Sequence, residues 1–503
     1  MTLLDVLLWF LVACLVIALY FLQQWSRSPF AGLPGIHSLS RLVYEVLGKY
    51  GTVYDLLLSC HERFGPVFVF AKVRGGALLV VVDLDFAKKH YSQAHFIKSV
   101  RRKPSKFFER FVGMYNVAHS NGETWARQRK AANPAFQWQS LKKFQEKFVR
   151  EAHRGLRYLE CGKPDPAVEE VLKKTGFDAG RGRLVAMTRF SDQMVVDTLG
   201  ACIYSLDMKQ FEEEEARLAL LGRRIMAELE SPARAFLGQW VELLPLQSNR
   251  DIDADITELN ELLRGVMNEH LSQAGEKNAE KLDLVDHLVG SLSETEVMRN
   301  LLLLFFAGQE NTSNTFVFTM QYLAEHQDVQ DKVRAEARAL LGDSLSPTVE
   351  QLKDLKYLRM VLKEVLRLHP PVLFTQTRVA VKPFTVGGRT FPAGTPAAIP
   401  VLLYHMNPEW WDNPTEFRPE RFEGKVTPLS WLPFGTGPRQ CLGMNFLMME
   451  LRVFVATLAL RYRFEPGPQQ PSWQKKTYGR SMDFTTGPIL GPRNVYINFI
   501  PLY

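Results

Sequence analysis

Cysteine is scarce in this sequence. Five cysteines are spread over 503 residues, at Cys14, Cys60, Cys161, Cys202 and Cys441, and no two form a Cys-x-x-Cys pair. An odd number of widely spaced cysteines excludes a disulfide framework and a zinc ribbon. A single cysteine can still be a nucleophile or a metal ligand, and its local sequence must decide which one is.

The sequence also lacks low-complexity segments, Gly/Ser linkers and a strong excess of one charge. With 61 basic and 54 acidic residues the net charge is only +7, without a long basic tract, so we expect no nucleic-acid partner. An acidic protein partner or an anionic membrane surface fits better. Apolar residues at 46% and charged residues at 23% are typical of a folded body with one large core.

The N-terminus has no charged residue from Val6 to Leu22, which is about the length that a helix needs to cross a bilayer. Asp5 precedes this run and Arg27 follows it, whereas a cleaved signal peptide begins with basic residues. We therefore expect one transmembrane helix, with the body on the cytoplasmic side. The expected organisation is a membrane anchor at 1–25, a Pro/Gly-rich hinge at 26–40 and the main domain at 41–503.

The main domain is predicted to be mainly α with small β-sheets. Two β-rich runs flank the turn at 74–76, and short β-like runs return between Val379 and Thr395. The polar stretch from Cys161 to Arg183 is interpreted as solvated surface. The long apolar segment after Ser293 starts with a Ser-x-x-Glu capping signal that ends at Glu296, which predicts a central buried helix.

Cys441 has the most informative surroundings. It follows a glycine- and proline-rich loop and directly precedes an apolar helix, in WLPFGTGPRQCLGMNFLMMELRVF. Backbone N–H groups at a helix N-terminus stabilise a thiolate, and Gly435, Gly437 and Gly443 let a flat group approach the backbone. This context favours a planar iron cofactor over an inert core cysteine.

The loop resembles the haem loop F-x-x-G-x-R-x-C-x-G of the cytochrome P450 family of haem-thiolate monooxygenases. Phe434, Gly437, Arg439, Cys441 and Gly443 occupy its fixed positions. The resemblance implies the cytochrome P450 fold and haem b, with Cys441 as axial ligand, Arg439 at a propionate and Phe434 on the sulfur side. Thiolate ligation favours O–O bond cleavage.

Other family signatures follow in the same order along the chain. Glu364 and Arg367 match E-x-x-R and, with Arg421, are expected to form a buried structural network. By the same resemblance, haem propionates would be held by further residues: Trp125, Arg129 and Arg378.

On the oxygen side of the haem, AGQENT resembles A-G-x-[D/E]-T. Ala307, Gly308 and Glu310 match, but Asn311 stands at the threonine position and Thr312 comes one residue later. Since a helix turns by about 100° per residue, Thr312 cannot simply replace residue 311. Proton delivery could use Asn311 with a water, Thr312 through a local helix distortion, or a substrate hydroxyl. The segment could also be only a polar interruption of a buried helix.

The resemblance implies a lipophilic small-molecule substrate, such as a terpenoid, steroid, fatty acid or polyketide. The pocket would be lined by the central helix and by four further segments: 107–117, 218–246, 372–377 and 482–485. Segment 235–246 could dip into the bilayer or pack in the core. An NADPH-dependent flavoprotein reductase would dock near Arg127, Lys130 and Arg452, and the protein would sit in the endoplasmic reticulum membrane.

Two other functions stay open at this point. The departure at Asn311 leaves room for a haem-thiolate isomerase or dehydratase that needs no reductase. A haem-binding carrier or sensor without turnover is a further alternative. NADPH consumption and product formation would separate the three.

Overall fold

The computed structural model describes residues 28–38, 41, 45, 53–71, 77–92, 95–98, 106–163, 165–212, 217–229, 239–272, 283–468, 483–484 and 492–502. The apolar run Val6–Leu22, predicted as a membrane anchor, lies outside these ranges. Within them, none of the helices combines the length and apolar character that a bilayer crossing requires.

The described part of the chain is mainly helical. The α-helices are α1 Val53–Phe64, α2 Leu84–Tyr91, α3 Lys106–Phe111, α4 Gly122–Ala132, α5 Trp138–Cys161, α6 Pro166–Thr175, α7 Met187–Tyr204, α8 Arg217–Leu229, α9 Gln239–Glu242, α10 Gln247–Ser272, α11 Leu284–Val289, α12 Glu294–Glu325, α13 Gln327–Leu341, α14 Val349–Asp354, α15 Lys356–Leu368, α16 Val401–His405 and α17 Met444–Arg461. The strands are β1 Gly35–Ile36, β2 Val67–Ala71, β3 Ala77–Val81, β4 Phe96–Lys98, β5 Arg183–Ala186, β6 Arg378–Ala380, β7 Phe384–Val386, β8 Arg389–Phe391, β9 Pro396–Ala398, β10 Tyr462–Pro466, β11 Asp483–Phe484, β12 Pro492–Arg493 and β13 Tyr496–Pro501. The prediction of a mainly α protein with small sheets is confirmed.

The largest sheet has the order β1-β2-β3-β9-β6-β4. Strands β2 and β3 pair antiparallel, as predicted from the runs on either side of the turn at 74–76. Strands β4 and β6 also pair antiparallel, which puts Lys98 opposite Arg378. Strand β1 lies in the predicted hinge, and Phe30 and Ile36 are buried in the core under this sheet. The part of the hinge from Phe30 to Ile36 therefore packs against the main domain.

Helix α12 is the predicted central helix. The Glu296 carboxylate accepts hydrogen bonds from the Ser293 N–H at 3.1 Å and the Ser293 hydroxyl at 2.9 Å, so the glutamate of the capping signal closes the helix start. Arg127 adds two further hydrogen bonds to the same carboxylate. Residues on most sides of α12 are buried, because it packs against α7, α15 and α17.

The polar stretch 161–183 was predicted to be solvated surface, and this was partly wrong. It contains helix α6, whose Val168 and Val171 are buried against Leu184 and Tyr496. These two valines lie three residues apart and form a narrow apolar stripe. The lysines and glutamates of α6 face solvent. Because they outnumber the two valines, the segment was interpreted as polar throughout.

Glu364 and Arg367 of α15 form a fully buried ion pair. Arg367 donates to both carboxylate oxygens at 2.7 Å, and Arg421 donates to Glu364 at 2.8 Å. Arg367 also donates to the backbone carbonyls of His405 at 2.9 Å and Pro414 at 2.7 Å. The predicted structural network is confirmed, and it attaches α15 to the chain that leads to the Cys441 loop.

Replacing Glu364 tests this attachment. We expect Glu364→Gln to lower the free energy of unfolding by about 3–5 kcal/mol, because the buried guanidinium groups lose their negative partner. Urea denaturation measures the change. The matched control is Glu170→Gln, whose partner Lys174 is exposed and which we expect to leave the free energy of unfolding almost unchanged. Equal effects of the two substitutions would contradict the assignment.

Candidate active site

The loop that carries Cys441 is closed by its own backbone. The Cys441 N–H donates to the Phe434 carbonyl at 2.9 Å. Gly435 and Gly437 have φ values of +63° and +70°, a conformation that side chains disfavour. Gly443 has an ordinary φ of −77° and stands at the N-cap of α17. The first two glycines are therefore required by the loop's conformation, and Gly443 is not.

The Cys441 sulfur lies at the start of α17. The backbone N–H groups of Gly443 and Met444 donate to it, and Arg129 is close enough to attract a negative charge on it. Burial nevertheless raises the pKa of the thiol above its usual range, while the side chain keeps accessible surface. Cys441 thus lies just before a helix N-terminus, as the sequence indicated, and its side chain is exposed.

Two arginines attach this loop to its surroundings. The Arg439 guanidinium lies 4.0 Å from the centre of the Trp125 ring and donates to the Ser120 carbonyl at 2.7 Å. Arg129, one helical turn after Trp125 on α4, donates to the Gln440 carbonyl at 2.7 Å. The structure therefore brings Trp125, Arg129 and Arg439 together beside Cys441.

Arg378 completes this group from the sheet. It is buried, lies over the Tyr91 ring at 5.1 Å and donates to the His90 carbonyl at 2.8 Å. Its Nε atom is buried and has no hydrogen-bond partner among the described residues. A buried guanidinium with an unused donor is costly, so this position is suited to an anionic ligand.

The three arginines produce a positive field, and among the described residues no carboxylate acts on any of them. Burial, followed by Arg378 and Arg129, lowers the pKa of Arg439 to about 10. Burial, followed by Arg378, lowers the pKa of His90 to about 3. Among the described residues whose charges act on Arg439, none is a carboxylate. The site can thus accept a ligand with more than one negative charge.

Lys98 belongs to this group and was missed in the sequence. Burial, followed by Arg378 and Arg439, lowers the pKa of Lys98 to about 7. Only the register of β4 against β6 places it opposite Arg378. The run Phe96-Ile97-Lys98 is too short to reveal a strand, and the pairing joins segments 280 residues apart.

Ala307 and Asn311 share one face of α12. Ala307 is exposed and Asn311 is half-buried, and the Asn311 amide nitrogen donates to the Ala307 carbonyl at 2.7 Å. The Asn311 Oδ1 atom is buried without a hydrogen-bond partner in the described part of the chain. This oxygen can therefore accept a hydrogen bond from a ligand. Glu310 is half-buried immediately before it.

Gly308 and Thr312 lie on a different face. A Cβ atom at Gly308 would come within 2.9 Å of the Leu199 side chain of α7, and Thr312, four residues later, is buried. Ser313 donates to Asp192, also of α7. Helix α12 is regular from Glu294 to Glu325, so the local distortion that would turn Thr312 towards Ala307 is not present. Gly308 here allows two helices to pack closely.

Phe306 of α12 forms a cluster with one residue from each of two other segments. The rings of Phe111 and Phe306 lie 4.6 Å apart, and a Cβ at Gly222 of α8 would come within 2.9 Å of the Phe306 ring. Three of the predicted pocket segments therefore meet at this cluster. Of the other predicted lining residues, 230–238, 482 and 485 lie outside the described ranges. Gln376, in the predicted lining segment 372–377, accepts a hydrogen bond from Lys98.

A groove of about 430 Å³ lies beside the Cys441 loop, next to Phe434 and Met444. Its described lining contains no acidic residue and presents two tryptophans and four cations: Trp138, Trp431, Lys353, Arg359, Lys363 and Arg452. Arg452 was predicted as a surface docking residue, and this was wrong. It is buried and donates to the Leu352 and Met448 carbonyls.

Comparison with known proteins agrees with this geometry. A sequence model of the family described as Cytochrome P450 matches residues 41–488. Cytochrome P450 72A15 of Arabidopsis thaliana is 32% identical over 440 residues, which cover 84% of this chain and 78% of the relative. Cytochrome P450 3A12 of Canis lupus familiaris is 26% identical over 492 residues, which cover 91% of each chain.

Proposed function

The chain belongs to the cytochrome P450 family and is a haem-thiolate monooxygenase, and on this premise we propose that it inserts one oxygen atom from O2 into a lipophilic small molecule with electrons from an NADPH-dependent flavoprotein reductase. The observation that carries the proposal is the position of Cys441 at the N-terminus of α17, beside a group of arginines on which no carboxylate of the described residues acts.

The residues present fit a haem b. The cofactor carries two carboxylates and an iron that takes a thiolate, and the site offers unneutralised guanidinium groups, an unused Arg378 donor and an accessible sulfur. We assign Cys441 as the iron ligand and assign the propionates to Trp125, Arg129, Arg378 and Arg439. Bound in this way, the haem supplies the activation of O2, which thiolate ligation favours.

The Gly443 and Met444 N–H groups hold negative charge on the sulfur. We assign Phe434 to the sulfur side and Ala307 to the opposite side of the haem. Gly308, which was predicted beside Ala307, lies instead on the face of α12 that contacts Leu199 of α7. Of the residues considered for proton delivery, Asn311 is the one whose orientation supports the role: its free oxygen can hold a water or a substrate hydroxyl. Glu310 directly precedes Asn311 and is proposed as the acid in proton delivery. Thr312 has the weaker support, because it is buried and lies four residues after Gly308, on the face of α12 that contacts α7.

The substrate is proposed to be a lipophile. The cluster of Phe111, Phe306 and Gly222 is apolar and joins three segments that line the pocket, so burial of hydrocarbon surface would provide most of the binding free energy. Terpenoids, steroids, fatty acids and polyketides all meet this description.

The reductase is proposed to dock on the groove beside the Cys441 loop. Lys353 lies 4.9 Å from the Trp138 ring, and Lys363 lies 5.6 Å from the Trp431 ring. Arg359 is exposed between them. An acidic surface of a redox partner would complement these cations and be brought close to the sulfur side of the haem. Lys130 is also exposed, whereas Arg127 is already paired with Glu296.

We further propose a single-pass location in the endoplasmic reticulum membrane, with anchor 1–25, hinge 26–40 and the catalytic domain 41–503 on the cytoplasmic side. Support among the described residues comes from Leu243, Leu244 and Leu246, whose side chains are exposed by 60%, 48% and 41%. Exposed neighbouring leucines are unusual in water and fit a membrane surface.

The function is tested in two steps. The reduced protein should show a strongly red-shifted Soret band with carbon monoxide, and Cys441→Ala should abolish it, because the thiolate is lost. With reductase and a lipophile library, product should form together with NADPH consumption. Product without NADPH would instead identify an isomerase or dehydratase. Bound haem without product from any lipophile would leave a carrier or sensor, and a histidine-type spectrum would overturn the haem-thiolate assignment.

The role of Asn311 predicts a defined change in coupling. Asn311→Ala removes the free amide oxygen, so product per NADPH should fall by at least about tenfold, with the missing electrons recovered as hydrogen peroxide. Asn311→Thr, which restores the residue usual in the family, should recover coupling. Thr312→Val is the matched comparison and should leave coupling unchanged. Normal coupling in Asn311→Ala together with uncoupling in Thr312→Val would transfer the role to Thr312.

Docking is tested by reversing one charge of the groove. Arg359→Glu should raise the reductase concentration needed for half-maximal turnover by about fivefold or more at low salt, because like charges then meet at the interface. Turnover supported by cumene hydroperoxide bypasses the reductase and should not change. The control Lys173→Glu reverses an exposed charge on α6 and should behave as wild type. A loss of peroxide-supported turnover would show damage to the haem site instead.

A further inference from the structure

The loop at 112–121, which joins α3 to α4, is folded around one buried side chain. Asn116 is fully buried, and its amide nitrogen donates to the Gly113 carbonyl at 2.8 Å. Its Oδ1 atom accepts hydrogen bonds from the backbone N–H groups of Ala118 and His119, both at 3.1 Å. An asparagine that bonds to nearby backbone groups in this way fixes a turn. The 112–121 loop therefore has one compact shape, and a contact at one of its residues positions the others.

Helix α12 holds this loop through Asn300, which is also fully buried. The Val117 N–H donates to Asn300 Oδ1 at 2.9 Å, and the Asn300 amide nitrogen donates to the Glu296 carbonyl, one turn earlier in α12, at 2.7 Å. Arg299 donates to the Phe111 carbonyl, directly before the loop, at 2.8 Å. Asn300 thus uses its acceptor on the loop and its donor on its own helix, so turning it away would leave buried groups unpaired.

Asn300 lies on the same face of α12 as Ala307 and Asn311. These two residues follow it by seven and eleven positions, which are close to two and three full turns of a helix. Along this face Asn300 is fully buried, Leu304 is half-buried and Ala307 is exposed. The 112–121 loop therefore covers the face at Asn300, and the face becomes open at Ala307, about 10 Å further along the helix axis.

We infer that Asn300 determines substrate specificity by holding the 112–121 loop across this face of α12. A lipophile that extends from the reacting side of the haem towards the start of α12 would meet the loop after about 10 Å. The inference rests on the proposed function, which places the haem beside Ala307, and it narrows the substrate class to lipophiles that are compact in this direction. Asn300 acts through the loop and is therefore a positioning residue.

The test compares two probes on the full-length, haem-loaded protein: N-butylimidazole and N-dodecylimidazole. Both bind haem iron through the free ring nitrogen, so the Soret shift gives a dissociation constant for each, and only the dodecyl chain is long enough to reach the loop. Asn300→Ser removes the loop contact, while its hydroxyl can still donate to the Glu296 carbonyl. Asn300→Leu removes both contacts at similar volume. Asn300→Asp keeps an oxygen for the Val117 N–H.

The matched control is Asn260→Ser on α10. The Asn260 amide nitrogen donates to the Ile256 carbonyl, one turn earlier in its own helix, at 2.7 Å. This bond has the same form and length as the bond from Asn300 to Glu296. The control therefore reproduces the local change within a helix at a position outside the 112–121 loop and α12. The carbon monoxide spectrum of every variant checks that its haem site is intact.

In Asn300→Ser and Asn300→Leu, the ratio of the dodecyl to the butyl dissociation constant should fall by about tenfold from its wild-type value. In wild type the long chain must displace the loop and break its hydrogen bond to Asn300, which corresponds to about a factor of ten in affinity. In these two variants that bond is already absent. Binding of the butyl probe should not change, because its chain does not reach the loop. Asn300→Asp and Asn260→Ser should keep the wild-type ratio.

A wild-type ratio in both Asn300→Ser and Asn300→Leu would overturn the inference. An equal gain in affinity for the two probes would also overturn it, since the pocket would then be loosened without regard to length. Either result would leave the proposed function standing, because the carbon monoxide spectrum of wild type tests that separately. An absent thiolate spectrum in wild type would instead remove the proposed function, and the inference with it.

Discussion

The buried ion pair between Glu364 and Arg367 is the interaction on which the arrangement of the site depends. Arg367 uses its remaining donors on carbonyls of 405 and 414, and Arg421 approaches the same glutamate from the chain that leads to Cys441. A buried pair of this kind contributes little net free energy compared with apolar packing, yet it is costly to break. Its contribution here is geometric, since it fixes where the irregular chain between α16 and α17 lies.

The site itself is held under electrostatic strain. Burial, followed by repulsion from Arg378 and Arg129, lowers the pKa of Arg439. No carboxylate of the described residues acts on these arginines, so their concentration costs stability that an anionic ligand would restore. A negative charge on the Cys441 sulfur is favoured instead by backbone N–H groups and by Arg129. Under the proposed assignment, haem b would offer its carboxylates to the arginines and its iron to the sulfur.

The spacing of residues around the helix axis determines which side chains of α12 share a face. Asn311 is four residues after Ala307 and shares its face, whereas Thr312 is buried four residues after Gly308, the residue that contacts α7. The small residue at 308 therefore permits close contact between helices, and the polar residue at 311 shares the face of Ala307. Under the proposed function, Asn311 replaces the family's threonine on the reacting side of the helix, and the neighbouring Thr312 lies on another face.

Features that depend on local pattern could be predicted from the amino-acid order. The E-x-x-R pair, the capping signal at Ser293 and the apolar α12 are properties of short segments, and the structure contains each of them, together with the glycine-rich turn before Cys441. Features that depend on contacts between distant segments became visible in the folded chain. The register of β4 against β6 placed Lys98 beside Arg378, the packing of α17 against α14 buried Arg452, and the contact with α7 gave Gly308 its role. Such contacts join residues a hundred or more positions apart, and their side chains carry no local mark of the partner that they meet.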